Sequence, residues 1–206
     1  TLLVHKIAGA LAQQGTDLAS VTTAATRVIT NAVSLGMSLD TGTIPGSPKE
    51  KRIAEGKAEL GLGIHGEPGI EQVAFTTARA AMAIVVDKLA PHMGSGPQVA
   101  LLNNLGSVTP LEMAVLAEEL SRSKISDQIR WLIGPAPMMT SLDMHGFSLS
   151  VLAASPADEA ALRAPVAPWA WPGCLSVGRI AVQPLPNDLS PPKGDASKDA
   201  TTRAFL

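Results

Sequence analysis

Gln98-Val-Ala-Leu-Leu-Asn-Asn-Leu105 is a short, strongly apolar run, and Thr109-Pro-Leu-Glu112 follows it after three residues. The first run has the length and composition of a buried strand. The second places threonine at a helix N-cap, proline at the first helical position and glutamate three residues after the cap. A strand followed directly by a capped helix predicts an α/β domain.

The same alternation continues on both sides of this unit. Apolar residues at helical or strand spacing predict helices over 1–14, 17–35 and 75–90, and strands over 37–45, 58–65, 125–133 and 147–154. Strands separated by helices indicate a two-layer α/β domain with a mixed, partly parallel sheet. We expect helices on at least one face of that sheet.

Three parts of the chain are predicted from these patterns. Residues 1–36 form a helical segment that belongs to, or bridges from, an upstream α/β domain, and residues 37–173 form the α/β domain itself. Residues 174–206 are predicted to be a proline-rich linker. Eight of the sixteen prolines lie between Pro156 and Pro192, and a stiff polar segment of this kind tethers a further domain rather than packing.

Composition excludes several classes of partner. The 206 residues are 46% apolar and 17% charged, which is ordinary for a protein with a core. A net charge of −2, no basic run and only 3% aromatic residues argue against a nucleic-acid partner. No apolar run approaches the roughly 20 residues that span a bilayer, so no membrane partner is expected. A single cysteine, Cys174, fits a reducing compartment, and we expect a cytoplasmic protein.

One histidine has an unusual setting. Residues 58–69 have the sequence Ala-Glu-Leu-Gly-Leu-Gly-Ile-His-Gly-Glu-Pro-Gly, which places His65 among four glycines. Glycines remove side-chain bulk and allow positive φ angles, so a small ligand or another backbone segment can come close. A neutral imidazole there could act as a base, a metal ligand or a nucleophile, although it could equally be a turn histidine without a function.

Two more specific functions for this stretch, dinucleotide binding and metal binding, are not favoured. Gly61 to Gly66 match the dinucleotide fingerprint G-x-G-x-x-G, which requires a helix to begin at the third glycine. Glu67 would repel a phosphate and Pro68 would interrupt the first helical turn. A metal site is also not predicted, because the other histidines are scattered singly and no H-x-x-x-H spacing occurs.

Asn103 and Asn104 lie at the end of an apolar strand. Open α/β sheets bind ligands at such ends, but asparagines are also common in turns, where the amide bonds to nearby backbone. Both interpretations stay open at this point. Cys174 has no base close to it in sequence and is interpreted as a passive small residue.

Four blocks of the chain together resemble the substrate-binding subunit of the dihydroxyacetone kinase family. They are Leu3-Val-His-Lys-Ile-Ala-Gly-Ala-Leu-Ala12, Leu35-Gly-Met-Ser-Leu through Ile44-Pro-Gly46, Glu59-Leu-Gly-Leu-Gly-Ile-His-Gly-Glu-Pro-Gly69 and Asn103-Asn-Leu-Gly106. The resemblance runs from residue 1 to about 173. It implies the C-terminal part of the substrate-binding domain, followed by the linker of single-chain members.

The resemblance implies that His65 binds the substrate covalently. Its ring nitrogen would add to the ketone of dihydroxyacetone and form a hemiaminal, ready for phosphorylation to dihydroxyacetone phosphate. Two alternatives stay open, namely a non-catalytic homologue that senses the ketone and a kinase for a larger ketose such as erythrulose.

The resemblance also implies what this chain lacks. The family's upstream glycine-rich segment, with a second histidine and an aspartate, has no match here, and neither does the nucleotide-binding domain. We therefore expect no cofactor on this chain, with ATP and Mg bound by a separate domain or subunit. The chain alone is expected to be an incomplete kinase, and family membership implies a homodimer.

Overall fold

The computed structural model describes residues 1–178, 184 and 186. The α-helices of this part are α1 (Leu2–Gln13), α2 (Leu18–Asn31), α3 (Ala78–Leu89), α4 (Pro110–Ser121) and α5 (Pro156–Arg163). Its strands are β1 (Ala32–Ser38), β2 (Lys57–Leu60), β3 (Glu71–Ala74), β4 (Gln98–Asn104), β5 (Ile129–Ala136), β6 (Gly146–Ala153) and β7 (Cys174–Ser176). None of these helices is long and apolar enough to cross a membrane.

The strands form one mixed sheet in the order β3-β2-β1-β6-β4-β5-β7. β4 and β5 are parallel, and α4 lies between them in the chain. The other neighbouring strands are antiparallel. The predicted mixed, partly parallel α/β sheet is therefore confirmed.

Helices cover both faces of this sheet. The apolar sides of α3 and α4 pack against one face, where Met82, Val85 and Leu116 meet residues such as Leu102 and Leu149. α1 and α5 pack against the other face together with Val28 of α2. The two-layer description fits the sheet with α3 and α4, and the opening helices and α5 add a third layer.

The boundary between the second helix and the first strand differs from the prediction. The helix predicted over 17–35 ends at Asn31, and β1 begins directly at Ala32. β1 pairs with β6 along its whole length, from Ala32 opposite Leu152 to Ser38 opposite Gly146. Ala32 and Leu35 continue the helical spacing by coincidence, and strand pairing overrides it. The boundary predicted at residue 36 thus falls inside a strand.

The proline-rich region also begins with regular structure. Pro156 is the first residue of α5, and Ser155 caps this helix in a capping box with Asp158. Beyond it, the linker predicted over 174–206 starts as β7, which pairs with β5 at the sheet edge. The remainder of that predicted linker, apart from residues 177, 178, 184 and 186, lies outside the described residues.

Candidate functional site

The His65 segment is a loop at one edge of the sheet. Residues 61–70 connect β2 to β3, which form an antiparallel pair with Leu60 opposite Glu71. The strand predicted to continue to residue 65 therefore ends five residues earlier. Gly61 has a φ of +73°, a conformation that favours glycine and turns the chain out of the strand.

Apolar packing fixes the first half of this loop. Leu62 is buried and packs with Leu105 and Met144, and Ile64 lies against the same small cluster. Leu105 directly follows β4, so the loop is held next to the carboxyl end of that strand. Open α/β sheets bind ligands at the carboxyl ends of their strands.

His65 itself points into solvent. Its side chain is 79% exposed, and its Nδ1 lies 3.2 Å from Oε1 of Glu67. The backbone N–H of His65 donates to Oε2 of the same carboxylate at 3.1 Å. Gly66, between the two residues, has a φ of +93°, which allows the chain to bring them together. One carboxylate therefore holds both the backbone and the ring of His65.

The Glu67 carboxylate selects one tautomer of the neutral imidazole. Backbone N–H groups, first that of Glu67 itself and then that of His65, lower the pKa of this carboxyl. An ionised carboxylate only accepts hydrogen bonds. Nδ1 of His65 must therefore carry the proton that it donates to Glu67, and in the neutral ring Nε2 is left with its lone pair free. The arrangement presents an exposed nitrogen nucleophile.

The loop does not form a dinucleotide-binding turn. The element after Gly66 is β3 rather than a helix, so no helix begins at the third glycine and the fingerprint match is coincidental. Within residues 1–178, 184 and 186, no group of three or more His, Cys, Asp or Glu side chains could hold a metal ion.

The two asparagines have structural roles. Asn103 is 2% exposed; its Oδ1 accepts from the backbone N–H groups of Met138 and Met139, and its Nδ2 donates to the Met139 carbonyl. Asn104 bonds to the backbone of Gly106 and Val108. Their amides are used to hold loops, as the turn interpretation expects.

Burial raises the pKa of the Cys174 thiol, which disfavours a reactive thiolate.

The sequence interpretation missed a second group at this loop, Arg52 and Glu59. Glu59 lies in β2 and is 4% exposed, and its Oε1 accepts from the backbone N–H of Gly69 at 2.5 Å. The Arg52 guanidinium donates to both oxygens of Glu59, at 3.0 and 3.3 Å. It also reaches the carbonyl oxygens of Gly66 and Glu67, at 3.2 and 3.3 Å. Only the nearness of Glu59 to the glycine-rich stretch could have indicated it.

Comparison with known proteins agrees with the fold. Residues 1–170 match the family model of the Dak1 domain. Dihydroxyacetone kinase of Citrobacter freundii is 40% identical over 174 residues, which are 84% of this chain and 32% of the relative. D-erythrulose kinase of Mycolicibacterium smegmatis is 36% identical over 155 residues, covering 72% of this chain and 27% of that protein.

Solved structures resemble the chain as well. The C. freundii dihydroxyacetone kinase in complex with AMP-PNP and Mg²⁺ superposes with a TM-score of 0.85 and 35% identity, over 98% of this chain and 38% of that one. The dihydroxyacetone kinase operon co-activator Dha-DhaQ gives a TM-score of 0.73 and 26% identity, over 84% of this chain and 55% of that one. The chain spans about a third of the length of the curated relatives it matches. On the strength of the family model and of the shared fold, this chain belongs to the Dak1 domain family.

Proposed function

We propose that this chain is the dihydroxyacetone-binding part of a dihydroxyacetone kinase, and that His65 holds the ketone as a hemiaminal. The observation that carries the proposal is the exposed His65 ring with Nδ1 against Glu67. Membership of the Dak1 family and the likeness to a dihydroxyacetone kinase support it.

The addition step follows from this geometry. The Nε2 lone pair of His65 attacks the carbonyl carbon of the ketone, and the π electrons of the C=O bond move to the oxygen, which takes a proton from solvent. Glu67 accepts the Nδ1 proton and, because its own pKa is lowered, releases it to solvent, so the substituted ring ends neutral and the proton taken by the oxygen is returned. No second proton remains on the nitrogen that formed the bond, so water cannot be expelled to give a neutral Schiff base. The bond therefore stays reversible and holds the substrate without consuming it.

This chemistry also selects the substrate. Glycerol has no carbonyl and cannot form the bond, so the site would discriminate against it more strongly than a pocket distinguishes sizes. Phosphoryl transfer would then depend on positioning the free hydroxyl and on neutralising charge. We propose that ATP and Mg bind to a separate kinase domain or subunit; the C. freundii kinase solved with AMP-PNP and Mg²⁺, of which this chain covers 38%, supports this. We further propose a cytoplasmic homodimer.

The test follows the carbonyl carbon of dihydroxyacetone labelled with ¹³C at C2. In the presence of the full chain, its NMR signal should move from the ketone region to that of a saturated carbon. His65→Ala should abolish the new signal, and Glu67→Ala should weaken it. His92→Ala, which changes an exposed histidine elsewhere, serves as the control and should leave it intact. A new signal that survives in His65→Ala would refute the proposal.

Two related functions are tested by the same samples. The likeness to the operon co-activator favours a non-catalytic sensor, and the likeness to D-erythrulose kinase favours a four-carbon ketose. A kinase should phosphorylate the ketose when an ATP-binding partner is added, whereas a sensor should form the adduct and never turn over. The chain alone should show no turnover with ATP. Comparing adduct formation with three- and four-carbon ketoses identifies the preferred substrate.

A further inference from the structure

Arg52 occupies an unusual position for a loop residue. It lies in the irregular segment between β1 and β2, yet its side chain is only 21% exposed. Its guanidinium contacts both oxygens of the Glu59 carboxylate. A planar guanidinium matches a carboxylate in this two-bond arrangement, which fixes the direction of its remaining N–H groups.

Those remaining N–H groups point at the backbone beside the reactive histidine. They donate to the carbonyl oxygens of Gly66 and Glu67, the two residues that follow His65, and Nη1 also donates to the exposed carboxylate of Glu50 at 2.7 Å. Glu59 holds the far end of the same turn through the backbone N–H of Gly69. Arg52 and Glu59 therefore bond to three backbone groups of this loop, two before Pro68 and one after it.

The Arg52–Glu59 pair is held in place because Glu59 is part of the sheet. Glu59 belongs to β2 and lies opposite Ser38 of β1. Gln72 of β3 donates to Glu59 and also to the backbone carbonyl of Arg52. Gly69 packs so closely on Leu60 and Glu59 that a Cβ would overlap them. The loop therefore has a fixed base, while the His65 ring above it is exposed.

The geometry points to Arg52 and Glu59 as positioning residues that set the conformation of the His65 loop for addition to the ketone. This inference rests on the proposed function. Both side chains act through their hydrogen bonds to the backbone of the loop that carries His65 and Glu67. A misplacement of the nitrogen by about 1 Å is enough to cost roughly two orders of magnitude in a reaction that depends on alignment.

The experiment measures the apparent affinity for ¹³C-labelled dihydroxyacetone, from the saturated-carbon signal, in the full chain well below its unfolding temperature. Arg52→Lys keeps the charge beside Glu59 but cannot hold both carboxylate oxygens and both carbonyls. We expect it to weaken adduct formation by about tenfold or more, and Glu59→Gln to behave similarly. The matched control is Arg122→Lys, which changes an arginine in an exposed pair with Glu118 and should leave the affinity unchanged.

Amide hydrogen exchange provides the second measurement. In Arg52→Lys, peptides covering residues 62–70 should exchange faster, while those covering β4 should match the wild type. A variant that exchanges faster everywhere has lost global stability instead, and this result overturns the inference. Wild-type adduct affinity and wild-type exchange in Arg52→Lys and Glu59→Gln also overturn it.

The two proposals fail in different ways. If His65→Ala still shows the saturated-carbon signal, or if the wild type shows none, the hemiaminal is refuted, and the exchange data alone decide whether the pair orders the loop. If His65→Ala loses the signal while Arg52→Lys binds like the wild type, the hemiaminal stands and the positioning role is refuted.

Discussion

The ion pair between α2 and α5 gives a quantitative test of how the second face of the sheet is held. Asp158 is 1% exposed, and both its oxygens bond to the Arg27 guanidinium, with Oδ1 2.7 Å from Nη2. Its Oδ2 also accepts from the N–H and hydroxyl of Ser155, at 2.9 and 2.7 Å. Arg27, by contrast, is 37% exposed. The two partners therefore differ in what their removal leaves behind.

The expected losses in the free energy of unfolding follow from this difference in exposure. Arg27→Met leaves a buried carboxylate without its cation, a change that costs about 3 kcal/mol or more in the free energy of unfolding. Asp158→Asn leaves a guanidinium that water can reach, so the loss reduces to charge-assisted hydrogen bonds, about 2 kcal/mol. Removing the arginine should therefore destabilise the chain more than removing the aspartate.

Urea unfolding followed by circular dichroism measures both losses as shifts in midpoint at constant m-value. Arg122→Met is the control, because Arg122 and Glu118 form an exposed pair one helical turn apart, worth about 0.3 to 0.5 kcal/mol. The reasoning is refuted if Arg27→Met costs no more than this control, or if Asp158→Asn is the more damaging of the two.

Three further predictions follow from the same structure. Burial would raise the pKa of Asp158, but hydrogen bonds from Arg27 and Ser155 outweigh it and hold the pKa below its ordinary 3.8. Its stabilisation is complete above that value and is lost as the pH falls through the lower folded-state pKa. Thermal unfolding between about pH 2 and 5 should therefore be less pH-dependent in Asp158→Asn, and equal slopes would contradict this. Gly69→Ala should weaken ketone binding in the NMR titration because its Cβ would overlap Leu60 and Glu59; wild-type affinity would contradict this. Gly9→Ala, in an exposed position of α1 with open space around it, should raise the free energy of unfolding by about 0.5 to 1 kcal/mol, measured in urea, and a loss would contradict this.

The sequence predicted best the helices and strands whose ends are marked by capping residues or by the limits of an apolar run. α4 begins at Pro110 with the Thr109–Glu112 capping box that the sequence indicates, and β4 occupies all but the last residue of its apolar run. α5 has the same kind of signature in Ser155 and Asp158, but it begins where prolines become frequent, and the sequence patterns predicted no helix there. A proline at the first helical position begins a helix rather than interrupting it.

The candidate site was only partly predictable for a different reason. His65 stands out because glycines surround it in sequence, but its role as a covalent substrate ligand stays a prediction from resemblance and chemistry. Arg52 could not be identified from the sequence, since its bonds to Glu59, Gly66 and Glu67 depend on how the segment after β1 folds back over β2. No spacing rule connects a loop arginine to the carbonyls of a second loop.

The exposure of His65 and the burial of Glu59 meet two opposing requirements of the proposed reversible covalent site. The nitrogen must be open to a ketone arriving from solvent, and an exposed loop is ordinarily free to take many conformations. Bonding the loop backbone to a carboxylate in the sheet restricts those conformations without covering the ring, so the entropy of ordering is lost on folding rather than on substrate binding. A site built this way should lose affinity when the Arg52–Glu59 pair that holds its loop is altered.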